Sequence, residues 1–181
     1  MKDAIYKEYY EGDHEKRFLL GTKGKKSLLV IGLNPSIADR EVNDLTIRKV
    51  STIAKINNFD SFIMLNLYGQ RTPYPQKLHD ILDMDIHEEN IENIRNIFQT
   101  IGKVSGCSVL AAWGETISAR SYFPYCLKVI YELAKPSCPN WLRLGELTKS
   151  GHPRHPSRAS YSWKLTEFNI LSYINKFRSR L

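Results

Sequence analysis

The chain is poor in cysteine. Cys107, Cys126 and Cys138 are odd in number and show no Cys-x-x-Cys spacing, which argues against a disulfide framework and against a zinc or iron–sulfur site. They read as reduced, partly buried thiols. No apolar run reaches the length of a membrane span. The first eleven residues are charged and tyrosine-rich without an apolar core, so no secretory signal is expected and the expected location is cytoplasmic. Internal repeats and Pro/Gly/Ser-rich linkers are also missing, and 181 residues suit one well-buried core better than two. Acidic residues are in deficit: 19 Asp and Glu against 26 Lys and Arg leave a formal charge of +7, the sign expected where a partner carries phosphate.

What is present alternates between two periods. Residues 1–16 read as a loosely ordered N-terminal arm, with a short helix as the alternative over 6–16, which are polar without a clean period, and residues 17–181 read as a single domain. Strand, Gly-containing turn and strand are expected over 17–33, and the second run is apolar on successive residues, as in a strand covered on both faces. Ile47, Val50 and Ile53 mark an amphipathic helix that Asn43 or Asp44 caps. Apolar strands recur at 61–67 and 108–114, and a short one is expected at 141–144. Helices are expected over 85–101, over 115–135 with a break at Pro124, and from about 162 to 178. Strands alternating with helices predict one α/β domain with a mainly parallel sheet.

Two of the apolar strands run abruptly into polar residues, each presenting an Asn near its end, a third ends in Trp113-Gly114, and open α/β sheets place ligands at such ends. The densest chemistry lies further on, in Lys149-Ser150-Gly151-His152-Pro153-Arg154-His155-Pro156-Ser157-Arg158. Each histidine precedes a proline and is therefore held on extended backbone. His152 and His155 at i, i+3 lack an evident third ligand, so no metal is expected, and no cofactor either. His14, His79 and His87 read as solvated surface residues.

Four stretches, Gly32-Leu33-Asn34-Pro35-Ser36, Leu65-Asn66, Ala112-Trp113-Gly114 and His155-Pro156-Ser157, resemble in order the motif series of the uracil-DNA glycosylase superfamily. The first looks like the water-positioning loop of its mismatch-directed branch, and the last like the segment that closes its base pocket. The run from Arg17 to about Ser160 is similar to an uncharacterised family, domain-of-unknown-function family 1643, and the polar set Asp44, Thr46, Arg48, Arg71, Thr72, Lys149 and Arg154 looks like that family's signature.

The resemblance implies a three-layer α/β/α sandwich with a mainly parallel central sheet and a pocket at the strand ends. It also implies nucleobase recognition, with N-glycosidic bond hydrolysis as the associated activity. The alternatives are a non-catalytic base- or nucleotide-binding module and an enzyme acting on a small phosphorylated metabolite.

By that resemblance His155 donates to the base and Asn34 holds the water. An amide orients water but does not take its proton, so Asn34 implies slow turnover or none. Asn66 reads the base edge, or else caps the strand end. Gly32, Pro35, Ser36, Gly114 and Ser157 form the pocket's backbone and walls. Trp113 either stacks on the base or belongs to the core. Asp44 joins the substrate-binding set, or pairs with Arg48 one helical turn away. Arg71, Lys149 and Arg154 suit phosphate. Arg158 and Ala159 stand where the superfamily often carries Pro and an apolar wedge. Without that wedge, single-stranded nucleic acid or a free nucleotide is the expected partner rather than intact duplex. No membrane partner is expected, and oligomeric state is left open.

Overall fold

Strands β1 (Tyr9–Gly12), β2 (Arg17–Gly21), β3 (Ser27–Gly32), β4 (Ser61–Asn66), β5 (Ser108–Ala111), β6 (Asn140–Leu144) and β7 (Leu165–Glu167) form one sheet in the order β1-β2-β4-β3-β5-β6-β7. The structure is a computed structural model and describes residues 8–36, 45–101 and 106–178. Four helices accompany the sheet among the described residues: α1 (Leu45–Ile56), α2 (Met84–Ile101), α3 (Phe123–Ala134) and α4 (Ile170–Arg178). The fold is α/β, and no helix among the described residues is long and apolar enough to cross a membrane.

The expected run of parallel strands is the centre of the sheet: β3 pairs in parallel with β4 and β5, and β5 with β6. Its margins are antiparallel, β1 with β2, β2 with β4 and β6 with β7, so the sheet is mixed rather than mainly parallel. All six residues of β4 and the last five of β3 are buried, which accounts for their unbroken apolar character. Side chains alternate between two apolar clusters. Leu28, Val30, Phe62, Met64 and Leu110 meet Ile47, Val50 and Ile53 of α1. Leu29, Ile31, Ile63, Leu65 and Val109 meet Ile91, Ile94 and Phe98 of α2, Phe123 and Ile130 of α3, and Ile174 of α4. Each such large side chain contributes about 1.5–3 kcal/mol through burial.

Several expectations are corrected. Residues 9–12 are an edge strand rather than part of a loose arm; its turn is closed by the Asp13 carboxylate, which accepts from the backbone N–H groups of Glu15 and Lys16 at 2.8 and 3.0 Å. An edge strand with half-exposed side chains needs no clean apolar alternation, so its pattern is weak. The helix expected from 162 begins at Ile170, because Leu165–Glu167 pairs with β6 instead, and Asn169 Oδ1 then accepts from the Ser172 N–H at 2.9 Å. The break in 115–135 falls at residues 120–122, and Pro124 sits in the first turn of α3, where its missing N–H costs nothing. His87 is buried rather than solvated, because α2 turns it inward on the stripe of Ile91 and Ile94. His79 is half-buried and its Nδ1 lies 2.8 Å from the Tyr68 hydroxyl. Asn43 and Asp44, expected to cap α1 and, for Asp44, to bind substrate, lie outside the described residues.

Chain direction around β3 sets the place of the site. β4 lies on one side of β3 and β5 on the other, so the connections leave the carboxyl end of the sheet in opposite directions and open a crevice there.

Candidate functional site

A cavity of about 670 Å³ occupies that crevice. The end of β3 supplies Gly32 and the loop after it Asn34 and Ser36, the end of β4 supplies Asn66, the turn after β5 supplies Gly114 and Glu115, and the last loop supplies Lys149, Arg154, His155, Ser157 and Arg158. Four chain segments expected to meet therefore do meet. Pro35, Arg71 and Trp113 do not line the cavity.

Asn66 forms the floor and is 1% exposed. It lies opposite Gly32 in the β3–β4 register. A Cβ at Gly32 would stand 2.9 Å from Asn66 Oδ1 and 2.8 Å from Met64 Cε, so glycine is what leaves room for the amide. Asn66 Nδ2 has no hydrogen-bond partner among the described residues. An orphaned buried donor of this kind costs about 1–3 kcal/mol. Capping of the strand end falls to Asn90, whose Nδ2 donates to the Asn66 carbonyl at 3.0 Å, and the Asn66 side chain takes no part in it.

The Asn34 amide nitrogen is fully engaged. It donates to the carbonyls of Pro35, Gln70 and Thr72 at 3.0, 3.2 and 2.9 Å, clamping the loop after β3 to the loop after β4. Only its Oδ1 is left to orient a water. Arg71 serves the same assembly: Nη1 donates to the Asp13 carbonyl at 2.7 Å and Nε to the Ser36 carbonyl at 3.3 Å, so its donors tie loops together instead of facing the cavity. Pro35 supports the clamp through its carbonyl, which also accepts from the Thr72 N–H at 2.9 Å.

His155 precedes the 3-10 turn Pro156–Arg158 on extended backbone, as its following proline requires. The Ser157 backbone N–H donates to His155 Nδ1 at 3.3 Å, and the Ser157 hydroxyl lies 2.8 Å from the same nitrogen. A backbone N–H can only donate, so Nδ1 is the acceptor and the neutral ring carries its proton on Nε2. Gly114 has φ +69°, and a Cβ there would stand 3.1 Å from His155 Cβ. Both facts restrict that position to glycine.

Trp113 belongs to the core, not to a stacking platform: it is wholly buried, and its Nε1 donates to the Tyr173 hydroxyl at 3.2 Å. The same hydroxyl lies 2.7 Å from Nδ1 of buried His152, which anchors the last loop to α4. Among the described residues no group of three or more His, Cys, Asp or Glu is placed to hold a metal ion.

Three lining groups had no sequence signal strong enough to single them out. Arg17 is 3% exposed and reaches the cavity from β2, a placement set by the pairing of Leu20 with Met64 and Gly21 with Ile63. Glu115 supplies the one carboxylate among the described lining residues. Hydrogen bonds from Thr148 and then Ser150 hold its carboxyl below the usual carboxylate range, and the nearby His152 and Arg154 act in the same direction. Its position directly after Trp113-Gly114 was the available clue. Trp163 lines the cavity beside Arg154, whose Cζ stands 4.9 Å from the ring centroid.

Fold and site together define an α/β protein with a polar crevice at the carboxyl ends of its parallel strands. The family described as "Protein of unknown function (DUF1643)" matches residues 17–157, and the chain belongs to that family. No curated protein and no solved structure matches the chain.

Proposed function

We propose that the crevice recognises a nucleobase, in a nucleotide or in single-stranded nucleic acid, within a three-layer α/β/α fold of the uracil-DNA glycosylase type. The observation that carries the reading is the Asn66 amide, buried at the cavity floor with Nδ2 lacking a partner among the described residues. A buried donor is tolerated at a functional site where a ligand acceptor completes it. The Asn66 amide matches a base carbonyl or ring nitrogen, and His155 lines the same cavity. Intact duplex is disfavoured, since Ala159 is buried and Arg158 is charged, so neither supplies an apolar wedge.

N-glycosidic hydrolysis is the reaction that goes with this pocket. It needs a water held at the sugar and a group that accepts its proton as the base departs. Asn34 Oδ1 is suited to the first task; for the second the described lining residues offer only the carboxylate of Glu115, a weak base because its carboxyl is held below the usual range. A binding-only reading is favoured by one observation: the Asn34 nitrogen is spent on three carbonyls, which is the behaviour of a loop clamp.

Calorimetric titration of wild type and Asn66→Ala with a panel of nucleosides and nucleotides tests recognition. One base should bind, and the substitution should weaken it at least about tenfold, the loss of one buried hydrogen bond. Absence of base-selective binding overturns the reading. Base release from single-stranded oligonucleotides separates the two forms: bound base without an abasic product leaves the binding module.

A further inference from the structure

One wall of the crevice carries Lys149, Arg154 and Arg158. Among the described residues none of the three forms an ion pair, and the side chains of Lys149 and Arg158 make no hydrogen bond. Glu115 is the one carboxylate among the described lining residues. Among those residues these three cations, together with Arg17, outnumber it.

Arg154 is held as a rigid fork. Its guanidinium stacks 4.9 Å from the Trp163 ring centroid, its Nε donates to the Glu146 carbonyl at 2.7 Å, and Nη2 reaches the Leu147 carbonyl at 3.5 Å. The ring is fixed in turn by Gly145, where a Cβ would stand 3.0 Å from Trp163 Cδ2. Nη1 has no partner among the described residues and is presented with little rotamer freedom left to lose. Stacked guanidinium groups of this kind suit two oxygens of one phosphate. A cavity of about 670 Å³ is within the range of sites for single small ligands.

We propose that Arg154, Lys149 and Arg158 form a subsite for a terminal phosphate, a phosphomonoester with two negative charges, on the nucleotide whose base enters against Asn66. The proposal rests on the nucleobase reading for the position of the base, but the phosphate subsite is tested separately. A phosphodiester carries one charge and a nucleoside none, so each gains less from these cations than a phosphomonoester does.

Calorimetry at constant ionic strength decides it, using nucleosides, their 5′- and 3′-monophosphates, ribose phosphate, and dinucleotides with and without a 5′-phosphate. The expected result is a monophosphate that binds at least about tenfold more tightly than its nucleoside, with the gain shrinking below about pH 6 as the phosphate loses its second charge. Arg154→Lys keeps the charge but loses the fork and the stack, and should remove most of the gain while nucleoside affinity stays the same. Lys149→Gln, at an exposed position, should remove a smaller part and guards against misfolding of the first variant. A 5′-phosphorylated dinucleotide that matches the monophosphate assigns the phosphate to a strand end; one that does not assigns it to a free nucleotide. Ribose phosphate binding as tightly as the nucleotide, with Asn66→Ala without effect, sinks the base reading and leaves the phosphate subsite standing. No gain from the phosphate in wild type, or an equal loss of nucleoside and nucleotide affinity in both variants, overturns the proposal.

Discussion

Two asparagines that look alike in sequence do different work. Asn34 Nδ2 serves three carbonyls across two loops, whereas Asn66 Nδ2 serves none among the described residues. Asn34→Ala removes the donor that the Gln70 and Thr72 carbonyls share, while the Pro35 carbonyl keeps the Thr72 N–H, and should destabilise the fold by about 1–3 kcal/mol in urea denaturation. Asn66→Leu replaces an orphaned donor by an apolar group of similar size in a buried place. Its urea midpoint should equal or exceed that of wild type while base binding is lost, because the removed donor was a cost of about 1–3 kcal/mol to the empty protein. A clear loss of stability in that variant would mark Asn66 as a structural residue instead. The residue types at these positions were legible in the sequence. Their division of labour was not, since it depends on which carbonyls from residues 70 and 72 come within reach of residue 34.

Elements buried on both faces were legible, and edge elements were not. The apolar runs that became β3, β4 and β5 are continuous because both faces of those strands are covered. β1 and β7 carry no such pattern, since an edge strand with exposed side chains is defined by its neighbour's backbone. On α2 the stripe of Ile91, Ile94 and Phe98 was visible, yet His87 was not placed on it. Burial pushes the His87 imidazole below its usual pKa of 6.5, with Glu88 opposing weakly, and the groups facing it are Cys126 Sγ at 3.7 Å and the Tyr125 ring. The folded protein therefore resists a proton that the unfolded chain accepts. Stability linked to His87 is present above about pH 6.5 and is lost as pH falls below it. His87→Phe, which keeps a ring in the core, should flatten the fall in urea midpoint between about pH 7.5 and pH 5 relative to wild type. Equal slopes in the two proteins would show that other groups carry the dependence.

The crevice belongs to the whole molecule, because β2, β3, β4, the turn after β5 and the last loop each contribute lining residues. A ligand that binds only this assembled form must stabilise the global fold. A nucleotide at about 100 times its Kd should add about 2.7 kcal/mol to the unfolding free energy, and dialysis should remove it. With a net charge of +7 and cations around the mouth, that gain should shrink as salt is raised.

By itself the sequence determined the alternation of buried strands and amphipathic helices, the family, and four of the segments that meet at the crevice. These follow from apolar period and short motifs, which are encoded within a few neighbouring residues. Tertiary structure alone decided that Gly32 lies opposite Asn66, that Arg17 and Glu115 line the same cavity, and that Trp113 and Arg71 do not. Such placements depend on strand register and on contacts between residues far apart in the chain, and no local pattern records them.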